Sequence, residues 1–72
     1  MGERLRELRI DKGLTQLQLA EIMHCSQRLI SRYELGQVEL TASVIKKYCI
    51  EFQVSADYLL GLEDETGAKT YI

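Results

Sequence analysis

Apolar side chains return every three or four positions along most of this chain, and the polar residues between them supply starts and stops at regular intervals. Leu5, Leu8 and Arg9 fall on one face, with Arg4, Arg6, Glu7 and Asp11 largely on the others, and Gly13 supplies a stop. This predicts a first helix over roughly residues 2–12. Thr15 followed by Gln18 is a capping box, so a second helix starts just after Thr15, with Gln16, Leu19, Ala20 and Met23 on its core face. Ser26 is the next N-cap, for a third helix over about 27–35 that turns Ile30 and Tyr33 inward and ends at Gly36. Thr41 opens a fourth helix in which Ile45, Tyr48, Cys49 and Phe52 make the strongest stripe in the chain. Ser55 caps a short fifth helix, Ala56 to Leu60, closed by Gly61. The expected fold is all-α, five helices in one compact domain over residues 1–62, followed by an acidic tail at 63–72, flexible or ordered by a partner.

Length changes this picture by limiting it. With 72 residues there is room for one small core, and domains of this size gain from a partner subunit. No apolar run approaches the roughly 18 residues of a membrane span, and the N-terminal residues lack a signal peptide's hydrophobic stretch, so the expected location is the cytoplasm, away from membranes. Cys25 and Cys49 sit in no Cys-x-x-Cys or Cys/His spacing, and are expected to be reduced, buried and small. No metal or other cofactor is expected. Ser26, Ser31, Ser43, His24 and the carboxylates show no nucleophile or metal-ligand arrangement, which argues against an enzyme.

Charge matters through its distribution. The net value of −2 divides into +2 over residues 1–47, with eight Lys/Arg against six Asp/Glu, and −4 over residues 48–72, with one against five. A short helix held away from its core by a preceding helix fits the DNA major groove. The third helix, opening with Gln27 and Arg28, carries side chains suited to base edges. The few cations promise only a weak electrostatic grip on phosphates.

These pieces carry a resemblance. Thr15-Gln16, Leu19-Ala20, the Ser26 cap, Ile30-Ser31-Arg32-Tyr33-Glu34-x-Gly36 and Val54-Ser55-x-Asp57-Tyr58-Leu59-Leu60-Gly61 together resemble the lambda-repressor/Cro-like, or Xre-type, helix-turn-helix family, over nearly everything from Leu5 to Leu62. The resemblance implies a five-helix DNA-binding domain acting as a homodimeric, repressor-like transcriptional regulator on double-stranded DNA. Gln27, Arg28 and Arg32 match its base-reading positions. Leu29, near the same face, is either a thymine-methyl contact or a scattered exposed apolar group. Gln16 matches a phosphate-gripping position at the start of the second helix, with Thr15, Ser26 and Ser31 as further phosphate candidates. An ion pair between Arg9 and Glu34 is implied, fixing the third helix against the first.

The chain also departs from the family pattern. His24 and Cys25 stand in the turn where glycine or asparagine and then valine are common, so His24 is expected at positive φ. Gln37-Val38-Glu39-Leu40 lacks the usual basic character, and Ala42 replaces a usual leucine, a loss for Val38, Leu40 or Val44 to offset. Leu17, Ile22, Leu29, Tyr58, Leu59, Tyr71 and Ile72 are expected as exposed apolar groups available to a partner. A second reading therefore stays open, a protein-interaction module of the same fold, antitoxin-like or regulator-binding. A dimer would place two third helices about 34 Å apart on a palindromic operator.

Overall fold

A computed structural model describes residues 1–61. Five helices run in order: α1 Gly2–Asp11, α2 Gln16–Met23, α3 Gln27–Leu35, α4 Ala42–Phe52 and α5 Ala56–Leu60. No strand occurs among the described residues. The tail assigned to residues 63–72, with Tyr71 and Ile72, lies outside them.

Every helix start from α2 onward is set by a side chain the sequence already marks. Thr15 Oγ1 accepts from the Gln18 backbone N–H at 3.1 Å, and Gln18 Oε1 accepts from the Thr15 N–H at 2.9 Å, a complete capping box. Ser26, Thr41 and Ser55 accept in the same way from Leu29, Val44 and Tyr58. Each satisfies one N–H that a helix start leaves without a partner. Gly36 and Gly61 close α3 and α5 in the left-handed region, at φ 72° and 75°. The other two stops use residues for which that conformation is costly: His24 at φ 56° ends α2, and Gln53 at φ 55° ends α4. The first was anticipated from the turn. The second carries no glycine or asparagine to announce it.

The residues form two compact units, Gly2–Glu39 and the part beginning at Leu40. In the first, α3 packs on both α1 and α2, and Leu5, Leu8, Leu19, Ala20, Met23, Ile30 and Tyr33 are buried. At Gly2, a Cβ would overlap the Glu34 carbonyl oxygen and fall 3.0 Å from that of Tyr33. The start of α1 therefore approaches the end of α3 so closely that no side chain fits there. In the second unit α4 packs on α5, with Tyr48, Cys49, Phe52, Val54, Ser55 and Leu59 buried and the Tyr48 and Phe52 rings stacked at 5.9 Å.

Several burial expectations change. Leu59, expected among the exposed apolar groups, is fully buried, because the short α5 turns Leu59 inward and leaves Leu60 as its outward-facing leucine. Leu29 and Tyr58 are half-buried, as is Ile45 on the α4 stripe. Cys25 is half-buried rather than buried, since it lies on the α2–α3 turn; Cys49, within a helix, is buried. Leu17 and Ile22 are exposed as expected, and Ile10, Leu35, Ile50 and Leu60 join them. Ala42 is exposed, and Val38, Leu40 and Val44 are each half-buried.

Candidate nucleic-acid interface

The α2–turn–α3 segment is held together at one acidic side chain. Glu34 points back from the last turn of α3 into the unit, with 2% of its side chain exposed. A carboxylate so placed is strongly unfavourable unless its oxygens are satisfied. Arg9 of α1 donates from Nε to Oε2 at 2.6 Å and from Nη2 to Oε1 at 3.0 Å, a two-point fork. Its Nη1 donates to the Leu14 carbonyl at 2.9 Å, on the loop leading into α2. Gln16 completes the set, its Nε2 donating to Glu34 Oε1 at 3.2 Å. One buried carboxylate thus connects α1, the α1–α2 loop, α2 and α3.

With α3 fixed from below, its outer face is free. Gln27, Arg28 and Arg32 are exposed, and Ser31 and Leu29 are half-buried beside them. Arg28 and Arg32 stand one turn apart, where side chains share a face. Neither has an ion-pair partner among the described residues. The only acidic residue within α3 is Glu34, already buried and paired, so nothing on the helix itself neutralises this face. Arg32 lies in the last turn, where a cation also suits the negative end of the helix.

The phosphate candidates are placed at the two helix starts. Thr15 and Ser26 are exposed, and each hydroxyl oxygen already accepts a backbone N–H. The hydroxyl hydrogens remain able to donate. Gln16 is half-buried, its amide drawn partly inward by Glu34. That hydrogen bond was not legible from the sequence: positions 16 and 34 share no helix and no spacing rule. The Arg9–Leu14 contact likewise follows no helical spacing rule.

Between the two helices, the Cys25 N–H donates to the Ala20 carbonyl at 3.0 Å and His24 adopts the left-handed conformation, reversing the chain sharply. Burial raises the pKa of Tyr33, and the nearby Cys25 thiolate would raise it further. Burial likewise pushes the Cys49 thiol up. Among the described residues, no group of three or more His, Cys, Asp or Glu side chains is arranged to hold a metal ion, and no helix is long and apolar enough to cross a membrane.

Comparison with known proteins places this architecture. The helix-turn-helix domain family matches residues 2–65. The HTH-type transcriptional regulator ImmR of Bacillus subtilis is 35% identical over 69 residues, covering 96% of this chain and 54% of the relative. The HTH-type transcriptional activator BcrR of Enterococcus faecalis is 39% identical over 63 residues, 88% of this chain and 31% of the relative. Antitoxin PezA of Streptococcus pneumoniae is 34% identical over 61 residues, 85% of this chain and 39% of the relative. The chain therefore spans about half, or less, of the length of these relatives. No solved structure matches it.

Proposed function

The chain belongs to the helix-turn-helix domain family, and from that premise we propose that it binds double-stranded DNA sequence-specifically as a small transcriptional regulator. The observation that carries this reading is the outer face of α3, where Gln27, Arg28 and Arg32 stand exposed over a helix anchored by the Arg9–Glu34 pair. In this reading α3 lies in the major groove. Arg28 gives two parallel hydrogen bonds to guanine O6 and N7, and Gln27 two to adenine N6 and N7, each worth about 1–3 kcal/mol of discrimination. Arg32 reads further along the same face. Half-buried Leu29 is available at its edge to a thymine methyl. Gln16, Thr15, Ser26 and Ser31 bind phosphates, with the positive ends of α2 and α3 adding to the attraction. The functional unit is a homodimer on a palindromic operator.

Selection of bound duplexes from a random pool tests this directly. A short palindrome should emerge, and Arg28→Ala should weaken binding to it by about tenfold or more while scarcely changing affinity for scrambled DNA. Equal losses on both would make Arg28 a phosphate contact. A second reading, a protein-interaction module, is favoured by the antitoxin among the relatives and by Leu35, 67% exposed at the end of α3. Absence of DNA binding even at low salt would establish that reading over the first.

A further inference from the structure

The Gln16 amide lies between two demands. Its Nε2 donates one hydrogen to Glu34 Oε1 at 3.2 Å, and the nitrogen's second hydrogen is available for another acceptor. Gln16 is also the first residue of α2, where the leading N–H groups face outward without intrahelical partners. An amide at this position that rotated freely would lose side-chain freedom on gripping a phosphate. Here the rotation is already restricted.

We propose that Glu34 is a positioning residue for DNA binding: it holds the Gln16 amide in its phosphate-gripping orientation, and Arg9 makes this tolerable by cancelling the carboxylate's charge. The second half follows from electrostatics. A lone carboxylate one amide away from a phosphate would repel it. The Arg9 guanidinium, forked onto both Glu34 oxygens at 2.6 and 3.0 Å, leaves a neutral acceptor that orients Gln16 without opposing the anion. The ion pair therefore acts on the interface as well as on the packing of α3. This inference rests on the reading of Gln16 as a phosphate contact.

A double-mutant cycle between positions 16 and 34 separates the possibilities. Affinity for a duplex selected from a random pool is measured for the wild type, Gln16→Ala, Glu34→Gln and the double variant, at a temperature where circular dichroism shows all four folded. Gln16→Ala should weaken binding about tenfold, the value of one lost phosphate hydrogen bond. Glu34→Gln should weaken it by a similar factor in the wild-type background and hardly at all once Gln16 is alanine. Additive losses would overturn the positioning role while leaving Gln16 as a phosphate contact. No loss from Gln16→Ala would remove the phosphate contact itself, and the inference with it.

A measurement on the unmodified protein covers the case in which Glu34→Gln fails to fold. The two side-chain amide hydrogens of Gln16 give separate NMR signals, as in any glutamine, and the Glu34-bonded one should exchange with solvent more slowly than the other. Adding the duplex should shift chiefly the other. Equally fast solvent exchange of both hydrogens, as in an exposed glutamine, would overturn the proposal.

Discussion

At the scale of single residues, Glu34 ties α3 to both α1 and α2. Its two oxygens accept three hydrogen bonds, two from Arg9 and one from Gln16. Removing the carboxylate strands the Arg9 guanidinium in a site where only 11% of its side chain is exposed. Breaking such a pair from one side costs about 3–5 kcal/mol, far above the median for exposed pairs. In a domain this small that is a large share of the total stability, so Glu34→Ala should lower the melting temperature by well over 10 °C, at about 4–8 °C per kcal/mol. A shift of only a degree or two in a thermal melt would show that the pair is solvated. Tyr33 sits beside it in sequence and makes a different prediction. Burial raises its pKa above the ordinary 10.0, so the folded state keeps the phenol proton longer than the unfolded state does. Its contribution is fully present below about pH 10 and is lost as pH rises from there through the raised folded-state value. Urea melts between pH 9 and 11 should show falling stability, and Tyr33→Phe should flatten that fall. An unchanged slope in the variant would assign the alkaline loss to other groups.

At the scale of elements, the helices are defined by their ends. Side-chain caps at Thr15, Ser26, Thr41 and Ser55 and stops at Gly36 and Gly61 are written locally, within three or four residues, which is why these starts and stops could be read without coordinates. The two non-glycine stops invite a test. His24 and Gln53 both pay the left-handed cost of a side chain with a Cβ, about 1–2 kcal/mol, which glycine avoids at some cost in unfolded-state entropy. His24→Gly and Gln53→Gly should each stabilise the protein, by about 0.5–1 kcal/mol in denaturant melts; a loss of stability would mean that the side chain makes a contact worth more than the backbone strain. What the sequence did not reveal is non-local. The end of α4 at Gln53 and the burial of Val54 and Leu59 depend on how the chain turns between α4 and α5. The closeness of Gly2 to the Glu34 carbonyl, and of Gln16 to its carboxylate, depends on three helices arriving at one place. The outer face of α3 was legible because exposure of Gln27, Arg28 and Arg32 follows from burying Ile30 and Tyr33 on the same helix.

At the scale of the whole molecule, charge and information content argue for two copies on DNA. The unit Gly2–Glu39 holds six Lys/Arg and six Asp/Glu, so the helix-turn-helix part is formally neutral, and the net −2 comes from the remainder of the chain. A single copy therefore gains little from counterion release. Base reading cannot fill the gap alone: three side chains at about 1–3 kcal/mol each reach, at best, the range of about 4–10 kcal/mol that separates specific from non-specific binding. Two copies double both terms, and the second unit offers apolar surface for the contact in Ile50, 64% exposed, and Leu60, 45% exposed. The expected complex has two chains on one duplex, with half-sites centred about 34 Å apart, one helical turn. Inserting half a turn between the half-sites would put the two α3 helices on opposite sides of the duplex and should reduce affinity to that of an isolated half-site. Sedimentation of the protein with its selected duplex should give two chains per DNA, and Ile50→Glu should lower that stoichiometry while leaving the helical circular dichroism unchanged. One chain per duplex, with affinity indifferent to the spacing, would instead make each copy an independent reader.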